Sequence, residues 1–406
     1  MRAGGKFVIG AAALGVSALS TGASAEIRMS AWGETPDHRK VDLYTLRNKA
    51  GLTVRIATYG GMLVDLIVPD RDGTPVNVIR GMDRLTDYFE RHASLYGSIV
   101  GRYGNRIKGG RFTLDGVDYQ LPVNNQGNTL HGGPIGFDQR IWTASPQDGA
   151  APSLTLRYVS PDGEMGFPGA VKATVKYTLD GRDLRVDFGA TSDRPTVIDL
   201  FVHPWFNLGG AGNGDILGHR LQIFASRYAE MDESHTPTGG LAPVAGTPFD
   251  FRRPIPIGTH IHDCDWQISG NPRAPGYDQQ FALDGKAGTL RLAARLEEPD
   301  SGRVLEVLTT QPDLGLYTTN FPGTIAGRAG ERYGQYGAVV FETQHFGNSP
   351  NLPQFPSTVL RPGAKFHEMT IFRFPAGGGG RASPPRSPHL IADAPPCGMP
   401  TPPHAR

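Results

Sequence analysis

Ala173-Thr174-Val175-Lys176-Tyr177-Thr178-Leu179-Asp180-Gly181-Arg182-Asp183-Leu184-Arg185-Val186-Asp187-Phe188 is the stretch that decides the fold class. Apolar and polar residues alternate on both sides of Asp180-Gly181, and a period of two belongs to a strand with one face buried. Asp-Gly between two such runs predicts a hairpin, because the turns that match strand twist need positive φ, which glycine adopts freely. The pattern recurs. Residues 111–114 and 117–121 flank Asp115-Gly116, residues 289–296 and 304–309 flank Pro299-Asp300-Ser301-Gly302, and residues 52–56 and 62–68 are joined across Tyr59-Gly60-Gly61. From about residue 40 onward there is no sustained helical periodicity, so the expectation is an all-β chain of packed antiparallel sheets. No Pro/Ser-rich linker interrupts residues 26–374, which points to one large antiparallel β-sandwich domain over residues 26–375.

The composition agrees with a turn-rich globular protein: 406 residues, 38% hydrophobic and 19% charged, with 54 glycines and 34 prolines. The formal net charge is +1 and there is no long basic or acidic run, so charge suggests neither nucleic acid nor an anionic membrane surface as a partner. The expected ligand is neutral.

The two ends read differently. Arg2 and Lys6 precede an apolar stretch over 7–19 and then Ala23-Ser24-Ala25, the order of a secretory signal peptide over residues 1–25 with cleavage before Glu26. The expectation is an exported protein, periplasmic or secreted, with no membrane association after cleavage, since no later stretch is long enough to span a bilayer. Residues 376–406 form a Gly/Pro-rich tail too poor in apolar residues for a core, and are expected to be disordered. Of the two cysteines, Cys264 and Cys397, the second lies in that tail, so a disulfide between them is permitted by export but not required.

Four stretches carry polar residues where strand alternation does not ask for them. In Phe201-Val202-His203-Pro204-Trp205-Phe206-Asn207-Leu208, one imidazole sits among aromatic neighbours, either as a core histidine bonded to a carbonyl or as a proton donor over a cleft. Val339-Val340-Phe341-Glu342-Thr343-Gln344 is an apolar strand ending in a carboxylate; burying it costs several kcal/mol unless it is paired or functional, so Glu342 is a salt-bridge member or a general base. Gly101-Arg102-Tyr103-Gly104-Asn105-Arg106-Ile107 is a solvated bend or a set of donors for a polyhydroxylated ligand. Asn128-Thr129-Leu130-His131-Gly132-Gly133 turns sharply beside a second imidazole.

Taken together with Gly276-Tyr277-Asp278 and Thr309-Thr310-Gln311-Pro312, these segments resemble the aldose 1-epimerase (galactose mutarotase) family, in the family's order over roughly residues 40–374. The resemblance implies a large β-sandwich of the galactose mutarotase type, an open cleft for a free hexose, no cofactor and no metal, and interconversion of α and β anomers. It implies Glu342 as the base, His203 as the acid, and Asn105, Arg106, His131, Asp278 and Gln311 as the substrate-binding set. The chain departs from the family pattern at Gly104, where alanine is usual, at Gln279, where histidine usually follows the aspartate, and at Gly347-Asn348, where a Pro-Asp pair is usual. Gln279 and Gly347 are expected to border the cleft and to bear on sugar preference.

The residue types suit that chemistry on their own terms. Opening a pyranose removes the proton of the anomeric hydroxyl and protonates the ring oxygen, and one carboxylate with one imidazole suffices. A hexose-6-phosphate epimerase of the same fold would need a basic pocket, and no extra arginine cluster lies near the motifs. A carbohydrate-binding protein without turnover would need neither a poised base nor a poised acid. No phosphate-cradling Gly-x-x-x-x-Gly-Lys motif is present, and His260-Ile261-His262 reads as polar surface rather than as a metal site.

Overall fold

The computed structural model describes residues 25–91, 93, 95–263 and 274–376. The signal-peptide and tail expectations, and both cysteines, lie outside the described residues.

Alternation in the sequence becomes alternation in burial. Along Val171–Asp180, Val171, Ala173, Val175, Tyr177 and Leu179 point inward while the residues between them are exposed or half-buried. The strand pairs antiparallel with Asp183–Ser192 in the register Leu179↔Leu184 and Asp180↔Asp183. The loop is therefore Gly181-Arg182, one residue later than the sequence suggests, and Gly181 (φ 53) supplies the positive φ that a type II′ turn places at its first position. At the other Asp-Gly the expectation holds: Leu114 pairs with Val117, and Asp115 (φ 52) and Gly116 (φ 78) both take the left-handed conformation of a type I′ turn.

These hairpins build a nine-stranded sheet whose order is Thr143–Gln147, Ser153–Ser160, Val171–Asp180, Asp183–Ser192, Phe366–Arg373, Val304–Thr309, Arg291–Glu297, Arg220–Ile223 and Ile255–Pro256. A six-stranded sheet packs on it, in the order Trp205–Phe206, Val339–Gln344, Asp313–Tyr317, Asp278–Leu283, Ala225–Met231 and Pro237–Pro243. A five-stranded sheet over residues 26–77 packs Leu46, Val54, Ile56 and Leu66 into the common core, with Glu26–Glu34 as an edge strand. All named pairings among the described residues are antiparallel, and the one α-helix there is Leu85–Glu90.

One core joins the layers: Val54 and Ile56, Val175 and Phe188, Phe281, Leu314 and Phe341 belong to a single buried cluster. Phe206 packs at a tilt against Phe372 across the layers, ring centroids 5.3 Å apart, and the Thr343 and Thr370 hydroxyls meet at 2.6 Å. Because Phe341 and Thr343 face that core, a period of two turns Glu342 and Gln344 to the opposite face of the six-stranded sheet. That face carries the cleft.

Candidate active site

Glu342 sits opposite Gly315 in the register of its sheet, and a Cβ at Gly315 would come within 2.9 Å of Glu342 Oε2. The absent side chain leaves the carboxylate room beside its neighbour strand. His203 reaches it from the loop after Phe201–Val202, where backbone bonds His203 N–H to the Ser98 carbonyl (3.0 Å) and Gly97 N–H to the His203 carbonyl (2.9 Å) hold the chain. The His203 Nε2 lies 3.0 Å from Glu342 Oε1. Its Nδ1 has no hydrogen-bond partner among the described residues, so the ring is aimed by this contact and by the Phe201 and Trp205 rings that flank it at 6.1 and 5.7 Å.

His131 is positioned by the Gly101–Ile107 segment. The His131 backbone N–H donates to the Asn105 carbonyl at 3.1 Å, and the Asn105 N–H donates to the ring nitrogen His131 Nδ1 at 3.2 Å. An Nδ1 that accepts leaves the proton on Nε2, and Nε2 faces Glu342 Oε1 at 4.0 Å. His131, His203 and Glu342 have ligand atoms within 4.8 Å of one another, a grouping that could hold a metal ion in principle. The tautomer speaks against it: the His131 nitrogen that faces the others is a donor and has no lone pair to offer. At the His260-x-His262 segment, His260 pairs with Asp263 at 2.5 Å while His262 packs edge-on to Tyr336, so the two rings do not converge.

The electrostatics separate the acids. Burial pushes the Glu342 carboxyl up, but the His203 hydrogen bond and the charges of His203 and Arg106, joined by that of His131 only where its ring is protonated, outweigh it and bring the pKa down to about 2. Behind it lie two more buried carboxyls. Asp313, which accepts from Gln344 Nε2 at 3.1 Å, is held well above the ordinary range by burial, and Asp199, which accepts the His345 N–H at 3.1 Å, is pushed up to about 7 by burial. Of the three, Glu342 is the one whose surroundings favour the ionised form over its usual range, as a base requires. Burial likewise lowers His131 to about 3, partly offset by Glu342, so this ring is a neutral donor at neutral pH.

The rest of the cleft follows from the same loops. Asn105 Nδ2 points at Glu342 Oε2 (3.5 Å), and Arg106 is held by Asn125 Oδ1 (3.1 Å) and lies 3.8 Å from Asp278 Oδ2. Glu342, His203, His131, Asn105, Arg106 and Asp278 thus line one cleft of about 290 Å³. Gln311 does not. It is fully buried and outside the cleft lining, and its Nε2 donates to the Leu200 carbonyl at 2.9 Å, immediately before the Phe201–Val202 strand.

The expectation for the departures changes as well. Gln279 lies between Asp278 and Gln280 on the strand and turns to the core face, as Tyr277 and Phe281 do. Gly347 stands one layer behind the cleft: its N–H donates to Gln280 Oε1, and a Cβ there would come within 2.8 Å of Asn105 Oδ1. Gly104 has its own reason, since a Cβ would lie 2.6 Å from Asp199 Oδ2 and 2.5 Å from the Phe201 ring. The sequence reading missed His235, Tyr317, Asn320 and Phe321, which also line the cleft. For His235 the signal was available, a histidine inside the turn-forming run Asp232-Glu233-Ser234-His235-Thr236.

The family described as aldose 1-epimerase matches residues 42–373. A galactose mutarotase of Rattus norvegicus is 39% identical over 350 residues, covering 86% of this chain and 98% of that protein. An aldose 1-epimerase of Escherichia coli (strain K12) is 36% identical over 342 residues, covering 84% and 96%. The crystal structure of galactose 1-epimerase from Lactobacillus acidophilus NCFM superposes with a TM-score of 0.74 at 30% identity, covering 87% of this chain and 99% of that one. The family match over most of the chain, relatives at 36–39% identity and a shared sandwich fold show that the chain belongs to the aldose 1-epimerase family.

Proposed function

We propose that the protein is an aldose 1-epimerase that interconverts the α and β anomers of free hexoses such as glucose and galactose. The observation that carries the proposal is the 3.0 Å contact between His203 Nε2 and Glu342 Oε1 inside the cleft, a base and an acid within reach of the same small ligand. Glu342 takes the proton of the anomeric hydroxyl while the C1–O5 bond breaks and O5 takes a proton from His203. The open aldehyde turns about C1–C2, and the same two groups return the protons in the reverse sense as O5 closes on the other face. His131 Nε2–H steadies the negative charge that builds on oxygen as the ring opens, and Arg106 adds positive potential without being consumed.

No observation favours a 6-phosphate substrate. Arg106 is the one arginine or lysine lining the cleft among the described residues, and it already faces Asp278. Polarimetry of freshly dissolved α-glucose and α-galactose, with and without protein, tests the activity, and the 6-phosphates test the alternative. A rate equal to the spontaneous one with the free sugars would overturn the assignment.

We also propose that the chain is exported and cut before Glu26, which the order Arg2, Lys6, the apolar stretch and Ala23-Ser24-Ala25 supports. N-terminal sequencing of the protein recovered outside the cytoplasm checks it; a start at Met1 in a membrane fraction would refute it.

A further inference from the structure

We infer that His235, acting with Asp278, reads the hydroxyls on the C3–C4 edge of the pyranose and so sets which hexoses the cleft prefers. The inference rests on the proposed anomer exchange, which puts C1 and O5 at Glu342 and His203.

His235 is held in a conformation that its residue type does not favour. Its φ is 56, a left-handed backbone that costs a non-glycine residue about 1–2 kcal/mol. The surrounding bonds over-determine it. Asp232 Oδ1 accepts from the Ser234 and Thr236 N–H groups at 2.9 and 3.1 Å, and Lys108 Nζ meets Asp232 Oδ2 at 2.6 Å. Asn128 Nδ2 donates to the Ser234 and Thr236 hydroxyls at 2.9 and 3.2 Å, and Arg106 donates to the His235 carbonyl at 3.4 Å. What this turn presents is one imidazole, 6% exposed, on the cleft wall with Nδ1 3.5 Å from Asp278 Oδ2.

Arg106 and His235 both approach Asp278 at Oδ2, and neither contact uses Oδ1. With Nδ1 turned to the carboxylate, Nε2 is the ring nitrogen left to the cleft. A carboxylate oxygen that accepts beside an imidazole nitrogen and a guanidinium that donates is a fork suited to two adjacent hydroxyls.

Strand order says which hydroxyls. Asp278 pairs with Tyr317, and Tyr317 with Val340, whereas Glu342 is two residues further along and two strands across. At about 4.8 Å between strands and 3.4 Å per residue, the two Cα atoms are roughly 12 Å apart. With O1 and O5 held at Glu342 and His203, the ring edge that reaches toward Asp278 and His235 is the one opposite both, C3–C4. A hexose and its 4-epimer differ there.

The test is His235→Asn, since asparagine tolerates the left-handed conformation better than other non-glycine residues. For the preferred hexose, kcat/KM is expected to fall about tenfold, the size of one lost hydrogen bond, through KM with kcat within about twofold. With the 3-deoxy or the 4-deoxy hexose, variant and wild type should differ by less than about twofold, because the partner hydroxyl is already gone, while the 2-deoxy hexose keeps the full penalty. An equal loss on all three deoxy sugars, no loss at all, or a fall in kcat at constant KM would overturn the inference. Calorimetric binding of 1,5-anhydroglucitol, which has no anomeric hydroxyl to exchange, reads the same contacts without turnover. If that binding weakens in the variant although wild type shows no mutarotation, the activity proposal fails and the contact stands.

Discussion

Replacing Glu342 with glutamine removes the base and almost nothing else. Glutamine keeps the volume, and its Oε1 can still accept from His203 Nε2, which lies 3.0 Å from the carboxylate. The one contact at risk is the 3.5 Å bond from Asn105 Nδ2, where an amide would face an amide. The fold should therefore survive, with a melting temperature close to wild type. Turnover should not. No other cleft carboxylate can replace it, because Asp278 is two strands away and Asp199 and Asp313, which burial keeps up, lie behind the wall. Loss of a general base slows the reaction by about 10²–10⁴-fold, or roughly 2.7–5.4 kcal/mol in barrier. Polarimetry with the spontaneous rate subtracted measures it, and thermal melting checks the fold. A folded Glu342→Gln protein that kept more than about a tenth of wild-type kcat would refute the base assignment.

Four further outcomes are expected. His203→Asn should lose a similar factor, about 10²–10⁴ in kcat, and the double variant with Glu342→Gln should be far less than multiplicatively worse, since a base without its acid has already lost the coupled step; additive losses in log kcat would count against it. The acid limb of kcat/KM should lie below the ordinary carboxylate range, because the Glu342 carboxyl is brought down to about 2 and must be ionised to work; a limb near the unperturbed glutamate value would contradict that environment. Gly104→Ala should destabilise the fold by about 1–3 kcal/mol in urea titration, as its methyl would overlap Asp199 Oδ2 and the Phe201 ring; an unchanged midpoint would show that the site relaxes freely. His219 accepts the Leu208 N–H at Nε2 (3.1 Å), and burial lowers it to about 4 from 6.5, so its contribution is complete above pH 6.5 and is lost as pH falls toward 4. His219→Gln keeps an acceptor that does not titrate, and the fall in urea midpoint over that window should be smaller than in wild type.

Much of this protein is settled by residues acting on their neighbours. Alternation along Val171–Asp180 decides which side chains go in, and Asp115-Gly116 decides where a hairpin closes, because strand period and turn conformation are local properties. The same locality makes Glu342 and His203 legible as candidates: a carboxylate or an imidazole inside an apolar strand needs a reason wherever the strand ends up. The turn at Gly181-Arg182 shows the limit even at short range, since the pairing of both strands shifted it by one residue.

What the tertiary structure alone decided is which of these groups meet and in what state. The His203–Glu342 contact depends on where the Phe201–Val202 and Val339–Gln344 segments fall in the layers, and nothing in either segment specifies that distance. Gln311 sits in a motif with the others yet turns inward to Leu200, whereas His235, outside every motif, is carried to Asp278 by a turn anchored on Lys108 and Asn128. Protonation is the furthest from sequence. Glu342, Asp199 and Asp313 are all buried carboxyls, and the His203 hydrogen bond with the charges around it brings the first down while burial lifts the other two, because a charge responds to every group packed around it rather than to its neighbours along the chain.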